Sequence, residues 1–314
     1  MKVQILLFYL FNFYCISNFA QDRLIVCSTE QNADNSLSIM ADSKAFGDYT
    51  VILTFKSISG YRSTVNSDMA LITVPPGRTQ IVKLTQDKSA NSFSMDYSYK
   101  YYAGIALRRK PDSNFIYLMP GKEGSSLFIS KVGSVAEILG QTTTNNFSAT
   151  GFVYHFGDTI CAARSGLVYN VSDLIKEGEK EGQFFKRERN FIAIEHKDGT
   201  LGRYEMPSPI KLLVKFGEYI IPGQPLAVFN KESERYSLLF SVSYLDADKA
   251  SVNSNFTISE PTISPYVYFS SVFYVDESNK SSSLTINKKY IVLHSREIMG
   301  LEMNKKDKKK IGLN

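Results

Sequence analysis

Hydrophobic positions along the chain show almost no helical period and fall in short segments bounded by turn residues. The segments 49–55, 70–74 and 79–84 are rich in β-branched and aromatic side chains, and the segment 93–102 alternates polar with aromatic positions. A Pro-Pro-Gly turn at 75–77 separates two of these segments. Short strands divided by turns predict an antiparallel sandwich of about a hundred residues.

The second half of the chain has the same character. The segments 165–171 and 191–196 predict strands, and the Asp-Gly pair at 198–199 favours a tight hairpin turn. After this turn the segment 201–204 runs back along the preceding strand. Further strands are predicted at 115–118, 266–275 and 289–293.

The first twenty residues predict a secretory signal peptide. Lys2 precedes an apolar run at 5–11, and the small residue Ala20 closes the segment before Gln21. The run is shorter than the ~20 residues that a membrane-spanning helix needs. No later segment is long and apolar enough to span a membrane. We therefore expect the chain to be secreted or periplasmic after cleavage of this peptide.

Charge and composition limit the chemistry. A net charge of +5 argues against nucleic acid as a partner, because phosphate binding needs a concentrated basic face. Three His and three Cys exclude a Cys-rich zinc scaffold and argue against a His-rich metal site. The basic run at 305–310 predicts a solvated tail, and the charged run at 176–189 predicts a solvated loop.

The most specific sequence passage lies between residues 157 and 226. It contains Gly-Asp-Thr-Ile-Cys-Ala at 157–162, Ser-Gly-Leu-Val at 165–168, Ile-Glu-His-Lys-Asp-Gly at 194–199, and Val-x-x-Gly-x-x-Ile-x-x-Gly-Gln at 214–224. In order and spacing these four motifs resemble the LytM-type, lysostaphin-like zinc endopeptidases of bacterial cell walls. The resemblance covers roughly residues 140–245.

This resemblance, together with the strand pattern, predicts an all-β protein. Its parts are an N-terminal immunoglobulin-like β-sandwich and a peptidase-like barrel-sandwich hybrid, the duplicated hybrid motif of the family. Single hydrophobic cores stop growing near ~250–300 residues, so two domains are expected. The predicted boundaries are 1–20 for the signal peptide, 21–125 for the sandwich, 126–250 for the LytM-type domain, and 251–314 for C-terminal strands packing on it and a basic tail.

The resemblance also implies a zinc site. In the family a His and an Asp before the Gly-x-x-Val turn, and the last His of a His-x-His strand, hold the metal. Two further His assist the attacking water, whose pKa the metal lowers to about 7. The corresponding positions of this chain are Thr142, Gly151, Met206, Ser237 and Leu239. Glycine, leucine and methionine do not ligate zinc in this chemistry, so we expect no catalytic residue, metal or cofactor.

Other residues offer little replacement for the missing ligands. His155 lies near the former site, His196 on the hairpin and His294 far downstream. A rebuilt metal site is disfavoured because ligand geometry must hold within tenths of an ångström. Cys161 beside an arginine could be activated, but core packing is the favoured interpretation. Cys27 and Cys161 are expected as two separate buried thiols.

The sequence therefore favours a binding function. We expect a secreted, catalytically inactive LytM-type homologue that binds a peptidoglycan peptide or a cell-wall hydrolase which it regulates. Arg164, His196 and Tyr204 are the candidate groove residues. Two alternatives stay open: an active zinc endopeptidase that cleaves peptidoglycan cross-bridges with displaced ligands, and a structural envelope component.

Overall fold

A computed structural model describes residues 23–65, 67–132, 147–174, 189–208, 210–230, 236–252, 264–276, 283–310, 312 and 313. Of these residues, strands account for 50% and helices for 6%, so the described part of the chain is nearly all-β, as expected. The predicted signal peptide, Thr142 and almost all of the charged run at 176–189 lie outside these residues. Within them, none of the helices has the length and apolar character that crossing a bilayer requires.

The N-terminal part consists of two antiparallel sheets within the described residues, with strand orders β1-β2-β6-β4 and β5-β3-β7. Both sheets contribute to one apolar core, for example through Ile39, Val51 and Leu84. The predicted strands are all present here, and the immunoglobulin-like topology stays a prediction. The strands are β1 (Ile25–Gln31), β2 (Leu37–Ser43), β3 (Tyr49–Ser59), β4 (Tyr61–Ser63), β5 (Met69–Val74), β6 (Gly77–Gln86) and β7 (Ser94–Ala103).

The remaining strands are mostly short. They are β8 (Ala106–Leu107), β9 (Ile116–Tyr117), β10 (Ser126–Ser130), β11 (Thr150–Val153), β12 (Thr159–Cys161), β13 (Gly166–Ser172), β14 (Asn190–Glu195), β15 (Leu201–Met206), β16 (Ile210–Leu212), β17 (Tyr219–Ile220), β18 (Pro225–Phe229), β19 (Ser237–Asp246), β20 (Tyr266–Phe269), β21 (Val272–Phe273) and β22 (Lys289–Ile291). Three short helices are described, α1 (Ala247–Val252), α2 (Arg296–Gly300) and α3 (Lys305–Lys310).

One large sheet organises this second part. In the described residues its order is β17-β13-β14-β15-β19-β11-β10-β22, and β8 and β20 also pair with β19. A small sheet, β12-β18-β16, and the parallel pair β21-β9 complete the arrangement. The domain boundaries at 125 and 250 stay predictions, because pairing alone does not divide the chain.

Two sequence-based expectations differ from the structure. The predicted strand at 266–275 is interrupted, because β20 pairs antiparallel with β19 whereas β21 runs parallel to β9. The strand predicted at 115–118 is reduced to the two residues of β9, whose partner β21 is parallel. Periodicity identifies an extended segment but not the strand to which it hydrogen-bonds.

An aromatic cluster fills the core beneath the large sheet. The ring centroid of Phe240 lies 4.9 Å from that of Tyr204, 5.8 Å from that of Tyr117 and 5.8 Å from that of Phe273. All four side chains are fully buried. Because alternate residues of a strand point to opposite faces, this packing fixes which side chains of β19 face away from the core.

The two cysteines in the described residues are separate thiols, as expected. Cys27 on β1 is half-buried and Cys161 on β12 is buried. Burial raises the pKa of each thiol to about 11. Both therefore stay protonated near neutral pH, which argues against a reactive thiolate.

The N-terminal sheets contact the large sheet. Ile52 of β3 packs with Leu245 and Ala250. The backbone N–H of Asp48 donates to Oε2 of Glu195 at 3.0 Å. Burial raises the pKa of Glu195 to about 7, partly opposed by that hydrogen bond and reinforced by the charge of Asp48.

This contact predicts a pH-dependent stability. The folded pKa of Glu195 lies above its unfolded value, so its contribution is present below about pH 4.5 and is lost as pH rises through about 7. Relative to Glu195→Gln, the wild-type chain should lose about 1–2 kcal/mol of unfolding free energy from pH 4.5 to pH 8, allowing for solvent screening. Urea unfolding at both pH values measures this difference. Glu123→Gln, at an exposed turn, is the control, and equal pH slopes for wild type and Glu195→Gln would contradict the account.

Candidate functional site

Three of the predicted zinc positions meet on neighbouring strands. Gly151 of β11 is the register partner of Leu239 of β19, and Ser237 lies two residues before Leu239 on the same face. On its other side Leu239 pairs with Glu205 of β15. Such register partners have Cα atoms about 4.5–5.5 Å apart. The sequence spacing therefore brings together the positions where the resemblance implies an Asp and the two His of one strand.

The fourth described position faces the opposite way. Met206 is fully buried in the core with Tyr204, whereas Arg203 and Glu205 lie on the outer face of β15. On β19, Leu238 and Phe240 are in the core, so Leu239 and Ser237 share the outer face with Glu205. We call Gly151, Ser237, Leu239, Arg203 and Glu205 the outer-face row.

The charged members of the outer-face row neutralise each other. Arg203 Nε donates to Oε1 of Glu205, and its guanidinium lies 3.7 Å above the ring of Phe191. Arg189 approaches the other carboxylate oxygen of Glu205 at 3.9 Å. The side chains of Arg203 and Glu205 are 36% and 22% exposed, so both can be reached from solvent.

Gly151 lies where another strand approaches closely. A Cβ atom at this position would be 3.0 Å from the carbonyl oxygen of Ser130 on β10, and closer still to the Oγ of that residue. Real Cβ atoms rarely come this near to backbone, so the position suits glycine. An aspartate would require β10 to shift.

No metal-binding group is found in the part of the chain that the structure describes. Nowhere in it do three or more His, Cys, Asp or Glu side chains lie where they could hold one ion. His155 is exposed and has Asp158 as a neighbour, with 3.5 Å between Nδ1 and Oδ2. A catalytic zinc needs three protein ligands and an open position, and this pair supplies two donors at most.

The predicted groove residues Arg164, His196 and Tyr204 are buried, with 2%, 3% and 0% of their surfaces exposed. Arg164 NH1 donates to Tyr117 Oη at 3.3 Å and to Thr200 Oγ1 at 3.1 Å. Tyr204 lies in β15 and points into the core, between Arg203 and Glu205 of the outer-face row. Arg164 and His196 both contact Thr200, the residue directly before that strand. Their binding of a ligand stays a prediction.

Two carboxylates neutralise the guanidinium of Arg164. Its NH2 lies 3.0 Å from Oδ2 of Asp198, and it also pairs with Glu302. Burial opposes its charge, but the hydrogen bond to Glu302 and the nearby negative groups raise the pKa of Arg164. The pKa of Asp198 is lowered, since the charge of Arg164 and the Thr200 hydrogen bonds outweigh the effect of burial. Arg164 and Asp198 are thus ionised at neutral pH.

His196 is a neutral imidazole. Its Nδ1 lies 2.7 Å from the carbonyl oxygen of Ser165, and this acceptor requires Nδ1 to carry the proton. Burial, and then the charge of Arg164, lower the pKa of His196 to about 3. The Nε2 atom has no partner among the described residues. It faces Gly202, where a Cβ atom would lie 2.6 Å away, so no space for a ligand opens on that side.

Tyr204 supports the turn that carries Arg164. Its hydroxyl oxygen accepts a hydrogen bond from the backbone N–H of Ala163 at 2.7 Å. Burial raises the pKa of the phenol above its usual range, so it stays protonated. The side chain thereby fixes the position of the residue next to Arg164.

Sequence reasoning missed Glu302 and Phe115. The Arg164 guanidinium stacks on the Phe115 ring with 3.7 Å between Cζ and the ring centroid. Glu302 follows Arg164 by 138 residues, and no motif links two positions so far apart. Asp198 was interpreted only as a turn residue. The isolated arginine within an apolar turn at 160–168 was the available signal that a buried partner exists.

The chain is similar to several solved structures at low identity. A candidate peptidase M23 from Pseudomonas aeruginosa is 13% identical, with 62% of this chain and 82% of that chain covered and a TM-score of 0.28. For Helicobacter pylori Csd3 the identity is 13%, the coverage 91% and 82%, and the TM-score 0.28. A zinc containing peptidase from Vibrio cholerae is 16% identical, with 70% and 75% covered and a TM-score of 0.25. At such TM-scores these likenesses carry no argument about the site.

Neither a model of a protein family nor a curated protein matches the sequence.

The close approach at Gly151 predicts a cost for any side chain there. Gly151→Ala should lower the free energy of unfolding by about 1–3 kcal/mol, because the added methyl group meets the Ser130 backbone. Urea denaturation measures the change. Ser237→Ala, on the same face, is the control and should stay within ±0.5 kcal/mol. An equally stable Gly151→Ala variant would mean that β10 has room to move.

Proposed function

We propose that this chain is an exported, catalytically inactive homologue of LytM-type peptidases that binds the peptide part of peptidoglycan. The alternative partner is a cell-wall hydrolase that the chain would regulate. The observation that carries the proposal is the pairing of Gly151 with Leu239. The resemblance implies an Asp and a His at these positions, and the chain places two residues there that cannot ligate a metal.

The surroundings of this pair support binding rather than hydrolysis. The approach of Ser130 to Gly151 leaves no space for a carboxylate. Met206, at the position of a further family His, has its side chain in the core. An active zinc endopeptidase would need ligands from elsewhere, and His155 with Asp158 is the nearest such pair in sequence. Three protein ligands are the usual minimum for catalytic zinc.

The outer-face row offers chemistry suited to an extended peptide. Leu239 supplies a half-buried apolar contact beside the backbone of Gly151. Arg203 and Glu205 present one cation and one anion, both partly exposed, to carboxylates and amines of a ligand. Main-chain contacts and alternating side-chain contacts are a recurrent mode of peptide recognition by sheets.

Export belongs to the same proposal. Cleavage after Ala20 would deliver residues 21–314 to the periplasm or the exterior, where cell-wall peptides are found. The predicted domains 21–125, 126–250 and 251–314 then describe the mature chain. A structural envelope component would share this location, so the test has to separate peptide binding from general envelope attachment.

Co-sedimentation of the mature chain with purified peptidoglycan sacculi tests the proposal. The wild-type chain should bind, and Leu239→Glu should bind at least about tenfold more weakly, because a buried unpaired carboxylate is costly at that contact. Val26→Glu, an exposed position on β1, is the matched control and should bind like wild type.

The same incubation tests the enzyme alternative. We expect no soluble muropeptides above the level of a protein-free control. Release of peptide fragments that a zinc chelator stops would contradict the proposal and establish an active peptidase. Absence of co-sedimentation would exclude peptidoglycan as the partner, and equal binding by Leu239→Glu and wild type would place binding outside the outer-face row.

A further inference from the structure

We propose that Arg164 is the centre of a carboxylate-binding site and that Glu302 of the same chain occupies it as an internal ligand. The external ligand would be the free carboxylate at the end of a short peptide. The inference is independent of the proposed function, because it rests on the partners of the Arg164 side chain and not on the outer-face row.

Glu302 engages Arg164 as a free carboxylate would. Nε of Arg164 donates to Oε2 of Glu302 at 2.7 Å, and NH2 donates to Oε1. The hydroxyl of Ser165 reaches the same Oε2 at 3.4 Å. Two parallel N–H donors facing two carboxylate oxygens are the fork geometry by which arginine recognises carboxylates.

The guanidinium is held in place without Glu302. Its face stacks on Phe115, with 3.7 Å between Cζ and the ring centroid. NH1 donates to Tyr117 at 3.3 Å and to Thr200 at 3.1 Å, and NH2 lies 3.0 Å from Asp198. Loss of Glu302 would therefore leave the Nε–H and one NH2 donor pointing at the same place, in an unchanged orientation.

Charge balance allows one of the two carboxylates to leave, and Asp198 is the one held in its turn by hydrogen bonds from Thr200. Two carboxylates face one guanidinium, so the cluster with Glu302 carries an excess negative charge. When Glu302 leaves, Arg164 and Asp198 remain as a neutral pair, and no buried charge is left uncompensated. The Glu302 side chain is 14% exposed and that of Asp198 is 30% exposed, whereas that of Arg164 is 2% exposed, so water reaches both carboxylates but hardly the guanidinium.

The segment that carries Glu302 contains little regular secondary structure. It lies between α2, with five residues, and α3, with six, and isolated helices of this length are not stable by themselves. Nε2 of His294 lies 3.1 Å from the carbonyl oxygen of Gly121, and the Met303 side chain is buried. Residues 296–303 contribute no strand to the large sheet, so the segment can detach while the sheet stays intact.

The residues around Arg164 indicate the chemistry of the ligand. A small pocket beside the guanidinium has an apolar part of its lining, formed by Phe115, Ile116, Ala163 and Pro222 together with Ile298 and Met299 of α2. Ile298 and Met299 would leave the pocket together with Glu302. A carboxylate attached to a small apolar side chain then matches the exposed pocket, since the charge meets Arg164 and the side chain meets Ala163 and Pro222.

Calorimetric titration of the full chain with N-acetyl-alanyl-alanine, which has a free C-terminal carboxylate, tests the proposal. Glu302→Ala should bind this peptide at least about tenfold more tightly than wild type, because the internal competitor with its high effective concentration is gone. Glu297→Ala removes an exposed acid from the same segment and should bind like wild type. The C-terminal amide of the peptide should bind none of the three chains detectably. Equal affinities of Glu302→Ala and wild type would overturn the proposal, as would equal binding of acid and amide.

A second measurement, on the wild-type chain, tests the proposal even if the Glu302→Ala variant misfolds. Saturating free-acid peptide should speed amide hydrogen exchange of residues 296–303, including Met299, whose N–H donates to the Ser295 carbonyl at 2.9 Å. The amide peptide should leave the exchange unchanged. Unchanged exchange with the acid would show that Glu302 is not displaced. Sacculus binding through Leu239 is unaffected by either result, so this proposal can fail separately from the proposed function.

Discussion

The register of β19 is the constraint on which the second half of the molecule depends. Within the described residues, this strand pairs with β15, β11, β20 and β8 along its length. Leu238 and Phe240 point into the core, which turns Leu239 outward toward Gly151 and Glu205. A slip by one residue would move the whole apolar set of β19 to the outer face. The composition of the outer-face row therefore follows from the packing of the core.

A second constraint acts at the other end of the sheet. Arg164 is buried, and a buried guanidinium needs partners that satisfy its charge and its five donors. Those partners come from distant parts of the chain: Tyr117 before it, Asp198 in the hairpin turn and Glu302 near the C-terminus. The fold brings these groups together, and the ion pair between Arg164 and Glu302 is one of the contacts that hold the C-terminal segment against the sheet. That dependence gives the segment its proposed role as an internal ligand.

Some of this arrangement could be predicted from the sequence. Long alternating segments such as β3 and β7 were found where the pattern indicated them, because alternation reflects one buried face. The motif order placed Gly151 and Leu239 on positions that the sheet pairs directly. The segments predicted as strands at 115–118 and 266–275 contain β9 and β21, but the sequence pattern does not indicate that these two strands pair. Their parallel pairing joins residues far apart in the chain. The burial of Arg164 was missed for the same reason, because Glu302 has no local sequence relation to it.

The zinc content of the purified mature chain tests the central claim most directly. The chain would be equilibrated with zinc, dialysed and subjected to elemental analysis. The pairing of Gly151 with Leu239 predicts fewer than about 0.1 zinc per chain, because no set of three ligands is present among the described residues. A content near one zinc per chain that survives dialysis would contradict the account. The ligands would then have to come from outside the outer-face row.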